Sequence, residues 1–303
     1  MTTFQRGLAG LQFPLTHTTT SGVKHEATIV SIGASLREYK VDGVDVVIPY
    51  AADEFTPVFS GIVLFPWPNR LEDGLFEFEG TTVQVPINEI DNNNQLHSFS
   101  ENYEFECLDY QENLVTLALT LPYTRFYPYE IRVVITYSLD DEGLKVHTKA
   151  QNVGKSNAPF GLGWHPVFSY GGSREEAILT LPSETHVTVN DRMLPTGEVP
   201  VEPYYDFRTA RAIGDTNLDD AFLDFTTHEV TLERIDNHTT TVYSGEEYPA
   251  WQLCTIDGIG SKNEKGIFIE PCTCYANAFK TGRFLIALKP SETREFNWGI
   301  KFK

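Results

Sequence analysis

The 303-residue chain carries 23 Lys and Arg against 42 Asp and Glu, a formal net charge of −19. Proteins that neutralise nucleic-acid phosphates or anionic headgroups do so with clustered Lys and Arg, so this balance excludes nucleic acid and acidic membrane surfaces as expected partners. With 41% hydrophobic and 13% aromatic residues the chain can bury a large core, and its 21% charged residues are too dispersed for a disordered polypeptide.

Apolar residues repeat with period 2 along nearly the whole chain. The run Ala27, Thr28, Ile29, Val30, Ser31, Ile32 is β-branched and ends at Gly33. Segments 36–39 and 44–48 flank Asp42-Gly43, and 75–78 and 82–85 flank Glu79-Gly80, dipeptides that suit a tight hairpin. Further strands are predicted at 114–121, 131–138, 144–151, 177–181, 186–189, 230–234, 239–243, 267–269, 284–288 and 294–300. No amphipathic run of ~12 residues recurs between them, which removes βαβ architectures. The expected fold is all-β, a large antiparallel β-sandwich formed as a single domain over residues 1–303.

No loop of the G-x-G-x-x-G or G-x4-G-K-[ST] type occurs, so no nucleotide cofactor is implied. Residues 1–15 lack a cationic start followed by an apolar core, and no stretch approaches ~18 apolar residues, so a cytoplasmic protein is expected. Cys107, Cys254, Cys272 and Cys274 lack zinc-type spacing and read as reduced, buried thiols.

Four segments depart from ordinary strand or hairpin sequence. In Phe65-Pro66-Trp67-Pro68-Asn69-Arg70 the two prolines forbid a central strand and form a rigid turn that can aim Arg70, unless that side chain merely lies over Trp67 or pairs with Glu72. Asp91-Asn92-Asn93-Asn94-Gln95-Leu96-His97 delivers a histidine from a polar loop, where a plain surface histidine is the alternative. In Pro159-Phe160-Gly161-Leu162-Gly163-Trp164-His165-Pro166 the glycines permit close backbone approach and leave room for a ligand beside His165, which could otherwise be a core histidine. Finally, Glu270 ends an apolar strand and projects to the same side as Phe268, into the core or a cavity. A buried carboxylate there needs either an ion-pair partner or a chemical task. A weaker candidate is Asp219-Asp220 before Ala221-Phe222, on its own an ordinary turn.

One Glu, two His, an Arg, an Asp and several aromatics form a toolkit for proton transfer on a polyol. Sugar hydroxyls take paired hydrogen bonds from such groups while their CH faces stack on aromatic rings, and no net positive charge is needed. Interconverting aldose anomers requires one base for the C1 hydroxyl and one acid for the ring oxygen, without a cofactor.

The sequence resembles the aldose 1-epimerase (galactose mutarotase-like) family. The resemblance runs in order through Pro68-Asn69-Arg70, Asp73-Gly74-Leu75-Phe76, Asn94-Gln95-Leu96-His97, Trp164-His165-Pro166-Val167-Phe168, Leu218-Asp219-Asp220-Ala221-Phe222, Glu270-Pro271 and Ala278-Phe279. It implies one large β-sandwich with an open cleft across one sheet. It further implies that Glu270 is the general base, His165 the acid, and Arg70, His97 and Asp219 binders of hydroxyls, with Asn69 and Trp164 beside them. Asp219 is preferred to Asp220 because the family's acid stands three residues before the aromatic, here Phe222.

Two departures, Val167 after His-Pro and Ser98-Phe99-Ser100 after Leu-His, are expected to lie where substrate is gripped. A related branch acts on hexose 6-phosphates, for which only Arg70, Arg125 and Arg192 offer charge. Rival readings are a carbohydrate-binding or sensing module without turnover, and a metal triad of His97, His165 and Glu270; the absence of a close H-x-H pair weighs against the latter, and no metal is expected. A small-molecule sugar is the one partner anticipated.

Overall fold

A computed structural model describes residues 4–303. Strands pair antiparallel throughout the described residues and build two large sheets. One has nine strands in the spatial order Glu106–Gln111, Leu114–Leu121, Ile131–Asp140, Gly143–Asn152, Thr293–Phe302, Thr239–Ser244, Glu229–Glu233, Ile178–Thr180 and Arg211–Ala212. The other runs Pro195–Pro200, Ser183–Val189, Asp219–Phe225, Ala250–Ile259, Glu264–Cys272, Gly163–Trp164 and Val63–Leu64, with Val167–Ser169 also pairing with Glu264–Cys272. A five-stranded N-terminal sheet, from Arg6–Gly7 to Val44–Asp45, packs against the nine-stranded one through Gly10–Thr18.

Alternation decides what each strand buries. Ile131, Val133, Ile135, Tyr137 and Leu139 are fully buried, while Arg132, Val134, Thr136 and Ser138 between them are half-buried. One apolar cluster draws on the chain from Phe13 to Phe302 and joins the inner faces of both large sheets. Trp164 belongs to it, its ring 5.5 Å from that of Trp298.

Both predicted two-residue hairpins form. Asp42 and Gly43 have φ of 48° and 81°, and Glu79 and Gly80 have 47° and 79°, the left-handed pair that lets a two-residue turn follow the strand twist. Several strands lie outside the sequence expectation, the three longest being Gly10–Thr18, Asp219–Phe225 and Ala250–Ile259. Gly10–Thr18 runs through Pro14, tolerated because the neighbouring Arg6–Gly7 pairs only with Gly10 and Leu11 and leaves an edge at Pro14. Asp219–Phe225 occupies a segment expected as a turn, and Ala250–Ile259 reads as no clear period because it is apolar on both faces. Helix is confined to Ala278–Thr281 and two 3-10 turns, and no helix among the described residues is long and apolar enough to cross a membrane.

Gly161 and Gly163 do permit a close approach, but the space is not left for a ligand. A Cβ on Gly161 would stand 2.6 Å from Cys274 Sγ and 3.2 Å from Pro68 Cδ, and one on Gly163 would stand 2.8 Å from Pro68 Cβ. The glycines seat the Pro66–Pro68 turn on the sheet. Gly161→Ala is therefore expected to cost about 1–3 kcal/mol through overpacking, read as a lower urea midpoint at unchanged denaturant dependence.

Candidate active site

The cleft floor is the outer face of the eight-stranded sheet. Across three neighbouring strands, Asp219 stands opposite Cys254, Cys254 opposite Phe268, and Gln252 opposite Glu270. Strand alternation sends Trp251, Leu253, Ile267 and Ile269 into the main core, and Gln252, Cys254, Phe268 and Glu270 to the other side. His165 follows the same rule: its neighbour Trp164 points inward, so the imidazole points out.

Two loops form the facing wall. Trp67 Nε1–H donates to Gln95 Oε1 at 2.8 Å, Ser98 Oγ–H to the Phe65 carbonyl at 2.5 Å, and the Asn94–Leu96 strand pairs with Arg70–Glu72. Phe99 adds an edge contact to Trp67 at 5.2 Å. The polar loop at 91–97 and the proline turn are thus one unit. Wall residues hold unusual backbone: Val58, Phe59, Asn69 and His97 have φ of 41°, 59°, 58° and 60°. Such conformations cost a non-glycine residue energy, most of all a β-branched one, and collect where a surface is shaped for a task.

Residues Val58, Phe59, Asn69, Arg70, Leu96, His97, His165, Asp219, Gln252, Cys254, Phe268 and Glu270 enclose a cleft of about 190 Å³. Six of the seven residues singled out from sequence meet here, drawn from five separated segments. Trp164 does not line the cleft: it is fully buried against Trp298, one alternation step out of phase with His165. The departures at Val167 and Ser98-Phe99-Ser100 also lie outside the lining. Val167 packs with Ile48, Ile259 and Phe268, and Ser98 and Ser100 are buried behind the wall. Neither departure stands at the cleft surface, contrary to expectation.

Glu270 and His165 face each other, with Oε1 and Nε2 3.5 Å apart. Glu270 is 2% exposed, and its Oε2 has no hydrogen-bond partner among the described residues. Burial holds its carboxyl well above the usual carboxylate range; nearby Asp219 adds to this and Arg70 opposes it. Burial pushes the His165 imidazole down to about 3. Each group by itself thus resists becoming charged.

The other polar groups are tightly held. His97 Nδ1 accepts the Asn69 backbone N–H at 3.1 Å, so its neutral ring carries the proton on Nε2. Burial, the adjacent His165 and Arg70 keep that ring neutral, with its pKa well below 6.5. Arg70 gives Nε–H to Glu89 at 3.0 and 3.2 Å and Nη2–H to Asp219 at 3.3 Å; it neither lies over Trp67 nor pairs with Glu72. Gln252 Nε2–H donates to Asp219 Oδ1 at 2.8 Å.

Asp220 points the opposite way. It accepts from His186 Nε2 at 3.0 Å, while Glu202 accepts from Nδ1 at 2.9 Å. Although burial opposes it, these carboxylates raise the His186 pKa and favour the imidazolium. Its other oxygen accepts the Asp219 N–H at 3.0 Å.

Gln252, Phe59 and Glu89 are site features that sequence reasoning missed. Gln252 becomes visible only once its strand is paired with that of Glu270, and Glu89 only once the 91–97 loop is seen to fold back. Among the described residues no three His, Cys, Asp or Glu side chains are gathered as a metal ion would require.

Known proteins share this arrangement of strands. A family model described as aldose 1-epimerase matches residues 16–301. The uncharacterized protein YihR of Escherichia coli (strain K12) is 29% identical over 290 residues, which cover 91% of this chain and 90% of that protein. Galactose mutarotase of Homo sapiens is 28% identical over 188 residues, 58% of this chain and 52% of its own length. The GalM/aldose epimerase homologue from C. elegans has the same fold at a TM-score of 0.83 and 17% identity, covering 96% of this chain and 99% of the other. A galactose mutarotase-like protein from Clostridium acetobutylicum gives 0.81 at 21% identity, with 96% and 98% covered. With the family model matched over nearly its whole length, the chain belongs to the aldose 1-epimerase family.

Proposed function

We propose that the cleft interconverts the α and β anomers of an aldohexose by acid–base ring opening and closure. The observation that carries this reading is the Glu270–His165 pair, facing each other with one carboxylate oxygen unpartnered at the floor of a cleft suited to a single small ring. From the microstate with Glu270 ionised and His165 protonated, Glu270 takes the proton of the C1 hydroxyl. The C1–O1 bond becomes a carbonyl, the bond from C1 to the ring oxygen breaks, and His165 gives its proton to that oxygen. After rotation about C1–C2, the ring oxygen returns its proton to His165, attacks the other face of C1, and O1 recovers a proton from Glu270. The pair begins and ends the cycle holding the same single proton.

His97 Nε2–H and the free N–H groups of Arg70 donate to hydroxyls, and Asp219, steadied by Gln252, accepts from a more distant one. The charges favour recognition through hydroxyls over an anionic group. Arg70 is already matched by Glu89 and Asp219, Arg192 by Asp73, and Arg125 lies over Phe126. Polarimetry on freshly dissolved α-glucose and α-galactose, extended to phosphorylated and sulfonated hexoses, tests the reading; a rate equal to buffer for every aldose overturns it.

Glu270→Gln and His165→Ala are each expected to lower the catalysed rate by about 10²–10⁴-fold, with a thermal unfolding midpoint no lower than that of the native chain, because each removes a group burial disfavours. A variant at the native rate removes that residue from the mechanism.

The pair also fixes the pH profile. A second proton must enter a buried imidazole already pushed down, so the acid limb of kcat/KM lies below pH 6.5, the ordinary value of histidine. Losing the last proton leaves a carboxylate buried without a counterproton, so the alkaline limb lies above the usual carboxylate range. Once buffer catalysis is subtracted, an acid limb at or above pH 6.5 contradicts this reading of His165.

A further inference from the structure

We propose that Glu89 is the positioning residue for Arg70, setting sugar affinity without touching the sugar. The inference rests on the reading of the cleft as a sugar site. Glu89 is not among the residues that line the cleft, yet its carboxylate is among the most fully bonded groups near it. Oε1 accepts from Arg70 Nε at 3.0 Å and Asn92 Nδ2 at 3.0 Å; Oε2 accepts from Arg70 Nε at 3.2 Å and Asn94 Nδ2 at 2.9 Å. The backbones of Glu89 and Asn94 exchange two N–H···O bonds, both 3.1 Å, so the carboxylate is fixed to the turn that carries its own amide partners.

A second arginine holds that turn from outside. Arg192 Nε–H donates to the Asn92 carbonyl at 2.8 Å, and Nη2–H to the Asn93 carbonyl at 2.9 Å, to Asn94 Oδ1 at 3.3 Å and to Asp73 at 2.7 Å. Asn94, fully buried, returns a bond to the Arg192 carbonyl at 3.0 Å. Within the polar run Asp91-Asn92-Asn93-Asn94, Asn92 and Asn94 thus hold the Glu89 carboxylate, while Asn93 bonds Asp73 at 2.8 Å.

The consequence for the cleft is directional. A guanidinium offers five N–H groups in a planar fork, and fixing Nε–H fixes the plane. With Nε on Glu89, Nη2 on Asp219 and Nη1 reaching Asn69 Oδ1 at 3.5 Å, the remaining N–H bonds of Arg70 keep a single orientation. Without Glu89 the long side chain regains rotamers, and the ligand must order them on binding. Because Arg70 holds the sugar before, during and after ring opening, that loss falls on substrate binding more than on the chemical step.

Glu89→Asp keeps the charge but withdraws the carboxylate by one methylene, and Glu89→Gln keeps the reach but places an N–H₂ group opposite a donor. Each is expected to raise KM, and the calorimetric dissociation constant for the turned-over aldose, by about tenfold, with kcat within about threefold of native. In an Arg70→Ala background, where the guanidinium is gone, Glu89→Gln is expected to add nothing further to either constant. Native KM in both single variants, or the full effect persisting in the Arg70→Ala background, overturns the proposal. Should Glu89→Gln fail to fold, Glu89→Asp alone decides by the same split. If the native chain binds and turns over no aldose, the functional reading falls and this inference with it, whereas a native chain that binds sugar while the variants match it removes this inference only.

Discussion

The physical constraint on which this structure depends is a carboxylate buried with one oxygen unpaired. Taking an ionised carboxylate out of water without full hydrogen bonding is costly, and an interior of low polarity magnifies the cost. Burial accordingly holds Glu270 well above the usual carboxylate range and pushes the facing His165 down, so both groups favour their neutral forms.

The rest of the cleft divides the work between a stiff floor and a shaped wall. The floor groups sit on hydrogen-bonded strands whose alternate residues are locked into the main core, so Glu270, Gln252 and Asp219 keep their separations. The wall is loop, and its order comes from cross-links: Trp67 to Gln95, Ser98 to Phe65, Asn69 to His97, and Arg70 to Glu89. Left-handed backbone at Asn69 and His97 persists because those links over-determine it. Glu270 and Asp219 thus stand on the hydrogen-bonded sheet, and Arg70 and His97 on the cross-linked wall.

Much of this was legible in the chain itself. The β class followed from period 2, and both hairpin turns from dipeptides that accept positive φ. Arg70, His97, His165 and Glu270 stood out because each interrupts a pattern: an arginine ending a proline turn, a histidine ending a polar loop, another between tryptophan and proline, a carboxylate ending an apolar strand. The choice of Asp219 over Asp220 agrees with their opposite directions, one to the cleft and one to His186. Trp164 shows the limit of this reasoning, because proximity in sequence to His165 is the very reason that, on a strand, it points away.

What the amino-acid order determined by itself is therefore whatever is local: strand period, turn geometry, and which residues are chemically out of place in their surroundings. Tertiary structure alone decided the rest. That Gln252 lies beside Glu270, that Gly161 and Gly163 make room for Pro68 instead of a ligand, and that Glu89 grips Arg70 all depend on strand pairing and loop docking between distant segments. Register and docking arise from summed packing over both sheets, and no single stretch of sequence contains that sum.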